Sequence, residues 1–174
     1  MFSDLAAGLL IARVALGLAF AAHGSQKALG WFGGPGLAGA SGVFEKLGFR
    51  PSRLFAAMAG FGEMLAGVLI AIGLFGAIGP MIVIATMTVA VVAVHWKNGF
   101  FAAKNGYELA FLYATGAVAI AFGGYGSLSL DTAFGLTALS RPAIVWALLA
   151  LGFAAGAGAL ALRRAPAATP ATSQ

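Results

Sequence analysis

The sequence predicts an all-α fold, a polytopic bundle of transmembrane helices made of a four-helix core and a fifth, C-terminal transmembrane helix. Three observations predict it. Apolar residues fill 61% of the 174 positions and charged residues 9%, and the mean hydropathy is +0.96, more apolar surface than a soluble domain of this length can hide. Five segments approach or reach the roughly 18 apolar residues that read as a membrane-crossing helix. Lys and Arg also collect in alternate loops, as the positive-inside rule requires of a multi-pass chain.

The first segment runs over residues 5–22. Its start lacks the cationic residues and small-residue cleavage site of a secretory signal, so it reads as a retained span. The second, residues 54–75, follows Pro51 and Ser52, which open a helix well. The third, residues 77–94, follows so short a turn at Gly76–Pro80 that the two helices must be antiparallel neighbours. The fourth, residues 107–124, is diluted by Gly116, Gly123 and Gly124 and is the weakest of the set. The fifth, residues 143–162, has Ser140 as a cap and Pro142 in its first turn. Together they form one domain over residues 1–164, and the Ala/Pro/Thr-rich stretch 165–174 reads as a disordered tail.

The longest connection, Lys27 to Arg53, begins with Gly30–Gly42, too rich in glycine for a regular helix. Val43–Arg50 is apolar on one side with cations at its flanks. It reads as a short interfacial helix, with Trp31, Phe32, Phe44 and Phe49 at headgroup level.

With five spans, Lys27, Lys46, Arg50, Arg53, Lys97, Lys104, Arg163 and Arg164 share one side, against Arg141 on the other. The rule then places the N-terminus outside and the long first loop in the cytoplasm. The same bias accounts for the net charge of +5, so nucleic acid is not a partner. With no cysteine, disulfides, thiol catalysis and thiolate metal sites are excluded from the chain itself.

Charges inside lipid are costly and mark candidate sites. Arg13 lies ten residues before His23, and Glu63 lies ten after Arg53, each about 15 Å along a helix axis. The two helices run in opposite directions, and Ala56, Gly60, Glu63 and Gly67 form a narrow face on the second. An Arg13–Glu63 ion pair is expected, either fixing helix register or flooring a polar pocket. His23, Gln26 and Lys27 end the first helix on one face. His95, Trp96, Lys97 and Asn98 end the third, and Tyr107 and Glu108 begin the fourth.

All these ends meet at one side. His23, His95 and Glu108 are therefore candidates for proton handling, and Gln26, Lys27, Trp96 and Asn98 for binding a ligand. Imidazole and carboxylate beside a lipid-facing cleft suit a quinone head group, which needs a hydrogen-bond donor at each carbonyl and a route for protons. No His-x-x-His or Glu-x-x-His spacing favours a metal. Asp131 is expected to cap a short helix over residues 132–139. No phosphate-cradling glycine motif and no Gly-x-Ser-x-Gly is present.

The set Arg13…Gly17…Phe20…His23-Gly24…Gln26-Lys27, Trp31-Phe32-Gly33-Gly34, Gly60…Glu63…Gly67, His95…Asn98-Gly99-Phe100-Phe101…Asn105-Gly106-Tyr107-Glu108 and Gly126-Ser127-Leu128-Ser129-Leu130-Asp131, in this order over about residues 8–131, resembles the DoxX family of bacterial membrane proteins. The resemblance implies a four-helix core in the bacterial inner membrane. It also implies kinship with a subunit linked to thiosulfate:quinone oxidoreduction and with members of membrane redox complexes that include superoxide dismutase and a sulfurtransferase. It supplies no agreed catalytic residues.

The expected function is thus a quinone-interacting component of a membrane redox system, such as a subunit of a quinone-linked oxidoreductase, with quinone bound and no covalent cofactor. Its partners would be the bilayer, a soluble redox enzyme and a second copy of the chain. A small-solute binding or transport protein, and a scaffold holding a soluble enzyme at the membrane, are the competing readings.

Overall fold

Small residues decide how the long helices of this chain approach one another. In the computed structural model residues 4–164 are described, and helices occupy all five predicted segments. In chain order these are α1 (Asp4–Ala28), α2 (Gly36–Lys46), α3 (Ser52–Ile72), α4 (Ile78–Ala90), α5 (Glu108–Gly123), α6 (Leu130–Ala133) and α7 (Pro142–Ala161). A π-helical turn, Val91–His95, and a 3-10 turn, Trp96–Asn98, prolong α4. Among the described residues, α1, α3, the prolonged α4 and α7 are long and apolar enough to cross a membrane. At 16 residues α5 is shorter, about 24 Å against a hydrocarbon core of about 30 Å.

The tightest seam joins α1 and α3. A Cβ on Gly17 would stand 2.5 Å from the Gly67 carbonyl oxygen, and one on Gly24 2.5 Å from that of Gly60. Only glycine permits this approach, which is how membrane helices gain packing that lipid itself cannot drive. Gly73 ends α3 in the left-handed region at φ 69°. The Leu74 N–H then returns to the Leu69 carbonyl at 2.9 Å and the Gly73 N–H to that of Ile70 at 3.2 Å, a Schellman closure that turns the chain straight into α4.

Phe20, Ala66, Ile70, Val83, Met87 and Ala117 form the core between α1, α3, α4 and α5. The C-terminal helix α7 lies parallel to α4, with Gly152 against Met81 and Gly156 against Ala85. Its end returns to the first loop. Arg163 Nε donates to the Leu47 carbonyl at 2.7 Å, the Arg164 N–H donates to that of Gly48 at 2.8 Å, and the Arg163 guanidinium lies over the Phe49 ring.

Three local expectations are corrected. The helix α1 continues past Ala22 to Ala28, since His23–Lys27 stay helical while Gly24 and Ser25 are buried. The helix α2 starts at Gly36, inside the stretch expected to be irregular. There packing against α3 and α1 outweighs the weak helix propensity of glycine. Phe49 is fully buried between Phe44 and Phe55 rather than at headgroup level, whereas Trp31 and Phe32 are exposed. The expected disordered tail, 165–174, lies outside the described residues.

Candidate functional site

The small face of α3 carries Glu63, and the last turn of α1 carries Lys27. Because α1 reaches Ala28, Lys27 Nζ meets Glu63 Oε1 at 2.5 Å. The carboxylate is 2% exposed, and Oε2 is buried with no hydrogen-bond partner. Lys27 is 32% exposed, its stem running from the bundle end to the buried group.

The expected Arg13–Glu63 pair does not form. Arg13 donates to the Ala71 carbonyl at 2.6 Å and to the Leu128 carbonyl. The physical reason is register. Gly17 against Gly67 and Gly24 against Gly60 place Arg13 beside Ala71, eight residues beyond Glu63, or about 12 Å. Matching helix ends by depth missed this, because α1 extends six residues further than its apolar run.

Arg13 instead belongs to a polar knot at the opposite end. A Cβ on Gly73 would stand 2.7 Å from its Nη1. Asp131 does not cap its own helix. Ser129 caps α6, accepting the Thr132 N–H at 3.3 Å, and α6 ends at Ala133. The Asp131 carboxylate accepts the N–H groups of Phe75 and Gly76, each at 2.7 Å. Tyr125 donates to the Gly76 carbonyl at 2.6 Å. Burial pushes the Tyr125 hydroxyl well above its ordinary range, and the Asp131 carboxylate adds to this. These bonds fasten the α3–α4 turn to the loop after α5.

At the Lys27 end, His95 Nδ1 donates to the Asn105 carbonyl at 2.8 Å, and Asn98 Nδ2 donates to the same oxygen at 3.0 Å. His95 is the last residue of the π-turn that prolongs α4. Glu108 accepts the Ala102 N–H at 2.8 Å, Trp96 stacks on Tyr107, and His23 Nδ1 bonds Gln26 Oε1 at 3.2 Å beside the Tyr113 ring. Glu108, Asn98 and Trp96 thus order the loop between α4 and α5.

Between α2, α3, α4 and α7 lies a cavity of about 650 Å³. Phe44, Met58, Ile82, Val89, Leu151 and Ala155 are among its apolar walls, and Lys27, Glu63, Thr86 and His95 supply its polar side chains. Of the predicted site residues, Lys27, Glu63 and His95 come together here. Arg13, His23, Gln26, Trp96, Asn98 and Glu108 do not line it. Sequence reasoning missed Thr86, the α7 wall and the Lys27–Glu63 partnership. One signal was available: Gly17 and Gly24 are seven residues apart, as are Gly60 and Gly67, and antiparallel matching of the two pairs gives the observed register.

The DoxX family model matches residues 8–96, about half of the chain. That stretch runs from the second turn of α1 past the end of α4 and so holds both members of the Lys27–Glu63 pair and His95. No curated protein and no solved structure matches the chain.

Proposed function

The chain belongs to the DoxX family, and from that premise we propose that it is a quinone-interacting component of a membrane redox system in the bacterial inner membrane. All five long helices cross the bilayer in this reading, α5 with local thinning or tilt of its neighbours. The N-terminus is outside and the Lys/Arg-rich loops are in the cytoplasm. A soluble redox enzyme docking on those loops is the partner it implies.

One observation carries the proposal. Glu63, paired with Lys27 inside the bundle, lines a largely apolar cavity between four helices together with Lys27, Thr86 and His95. Apolar walls with a few polar side chains suit a ligand that bears a polar head and an apolar tail, and the Lys27 ammonium can donate to a carbonyl of that head. A quinone has that form. Lys27, Glu63 and His95 hold the head, Glu63 and His95 exchange its protons, and the walls from α3, α4 and α7 take the tail.

The test is mass spectrometry of lipid extracts from the protein purified in native-membrane nanodiscs. Wild type carries quinone in near-stoichiometric amount. Glu63→Gln and the cavity-filling Ala155→Phe lose most of it while remaining folded by circular dichroism. Quinone at bulk-membrane abundance in the wild-type sample sinks the reading.

A further inference from the structure

One wall of the cavity is held far less firmly than the others. The floor is α4, from Met81 to the prolonged end at His95, and α3 and α7 stand on either side of it. The helix α3 is fixed to α1 by the glycine seam. The helix α7 packs on α4 and more lightly on α5, and no comparable packing joins it to α3 or α2. Met58 on α3 and Leu151 on α7 line the cavity yet are 61% and 56% exposed, so these two walls are not sealed against each other.

The two halves of α7 are held differently. The first half is built into a core, with Val145 and Leu149 buried against Ala77 and Ala121. Gly152 and Gly156 then rest on the α4 backbone at Met81 and Ala85. Gly156 is the last buried residue of the helix. Beyond it, a Cβ on Gly158 would meet nothing within 4 Å. The run GFAAGAGALA, with Gly152, Gly156 and Gly158, is also a weak helix former.

What holds the far end is a latch. Arg163 Nε donates to the Leu47 carbonyl at 2.7 Å, and the Arg164 N–H donates to that of Gly48 at 2.8 Å. Both acceptors lie at the C-terminus of α2, where carbonyls lack helical partners and favour a cation. The Arg163 guanidinium covers the Phe49 ring. Leu47 and Phe49 are themselves cavity walls, as is Ala159 on the latched half of α7. Lys27 closes α1 and His95 closes the π-turn, so both stand at this same end of the bundle.

We propose that the second half of α7 is a lid hinged at Gly156, and that the latch of Arg163 and Arg164 on Leu47 and Gly48 holds it shut over the polar end of the cavity. Opening it breaks two hydrogen bonds and one ring contact, whereas parting α1 from α3 would separate backbone from backbone. Resting on the reading of the cavity as a quinone site, the lid sets how fast the ligand enters and leaves, as closing segments do where they cover a bound head group.

The chain has no cysteine, so spin labels go in as chosen pairs on the full-length protein in nanodiscs. Pulsed electron spin resonance reads Arg53→Cys against Leu162→Cys, across the latch, and Arg53→Cys against Trp146→Cys, on the anchored half. None of these positions lines the cavity. Arg163→Ala with Arg164→Pro removes the side-chain donor and the backbone N–H together. Wild type gives one narrow distance for each pair. The unlatched variant broadens the 53–162 distance toward longer values and leaves the 53–146 distance unchanged. It also releases an alkyl-1,4-benzoquinone at least about threefold faster, followed by recovery of tryptophan fluorescence. A 53–162 distance indifferent to the latch, or both distances broadened alike, overturns the lid. A broadened distance with unchanged release overturns its control of the ligand and leaves the quinone reading standing. Failure of either chain to bind the benzoquinone overturns the quinone reading, and the label distances then decide the lid alone.

Discussion

Glu63 sits inside the bundle beside the end of α1, and the cation that meets it is Lys27. Removing one partner of a buried pair strands the other charge, at a cost near 3 kcal/mol for a pair whose cation keeps some solvent. Lys27→Met therefore lowers the unfolding midpoint in detergent, while Lys27→Met combined with Glu63→Gln recovers most of the loss. A double variant no more stable than Lys27→Met would show the two side chains to be uncoupled. Residue types were legible at this scale and partners were not. Arg13, Glu63, Lys27 and His95 stand out in an apolar chain because each is costly in lipid. Which of them meet depends on registers of a few ångströms that composition does not carry. Glu108 and Asn98 show the converse. Glu108 reads as a proton-handling residue and Asn98 as a ligand-binding one, and the structure uses both on loop backbone.

The helices α1 and α3 are held by backbone proximity rather than by large side chains. A Cβ on Gly17 would stand 2.5 Å from the Gly67 oxygen and 2.6 Å from the Ala71 nitrogen, while one on Gly8 meets nothing within 4 Å. Gly17→Ala thus wedges the seam, with an expected loss of about 1–3 kcal/mol. Gly8→Ala, on the same helix, is neutral or stabilising by up to about 1 kcal/mol, from helix propensity alone. Unfolding of both variants in detergent checks the contrast, and equal effects would refute it. The existence of α1, α3, α4 and α7 was plain from apolar length. The extent of α1 and α2 was not, since HGSQKA and GLAGASG are weak helix formers that only neighbouring helices make regular.

Across the whole molecule, contacts at the two ends make the five long helices alternate in direction. The α3–α4 turn and the loop after α5 meet at Asp131, and the end of α7 meets the first loop at Leu47 and Gly48. Lys27, Lys46, Arg50, Arg53, Lys97, Lys104, Arg163 and Arg164 therefore share one end of the bundle, and Arg141 lies at the other. The chain has no cysteine, so single cysteines report topology cleanly. An impermeant thiol reagent applied to intact cells labels Thr137→Cys and spares Lys104→Cys until the membrane is opened. The reverse pattern would invert the orientation, and labelling of both from outside would remove α5 as a span.

By itself the sequence determined that the chain is a bundle of apolar helices of the DoxX kind, where those helices lie and which loops gather the cations, because apolar length and charge are summed locally along the chain. Only the tertiary structure decided that Arg13 faces carbonyls while Lys27 answers Glu63, and that α7, beyond the family match, walls the cavity on which Glu63 and His95 lie. The reason is that helix register is set by glycine-to-backbone contacts between segments far apart in sequence, and a shift of eight residues along one helix exchanges one ionic partner for another.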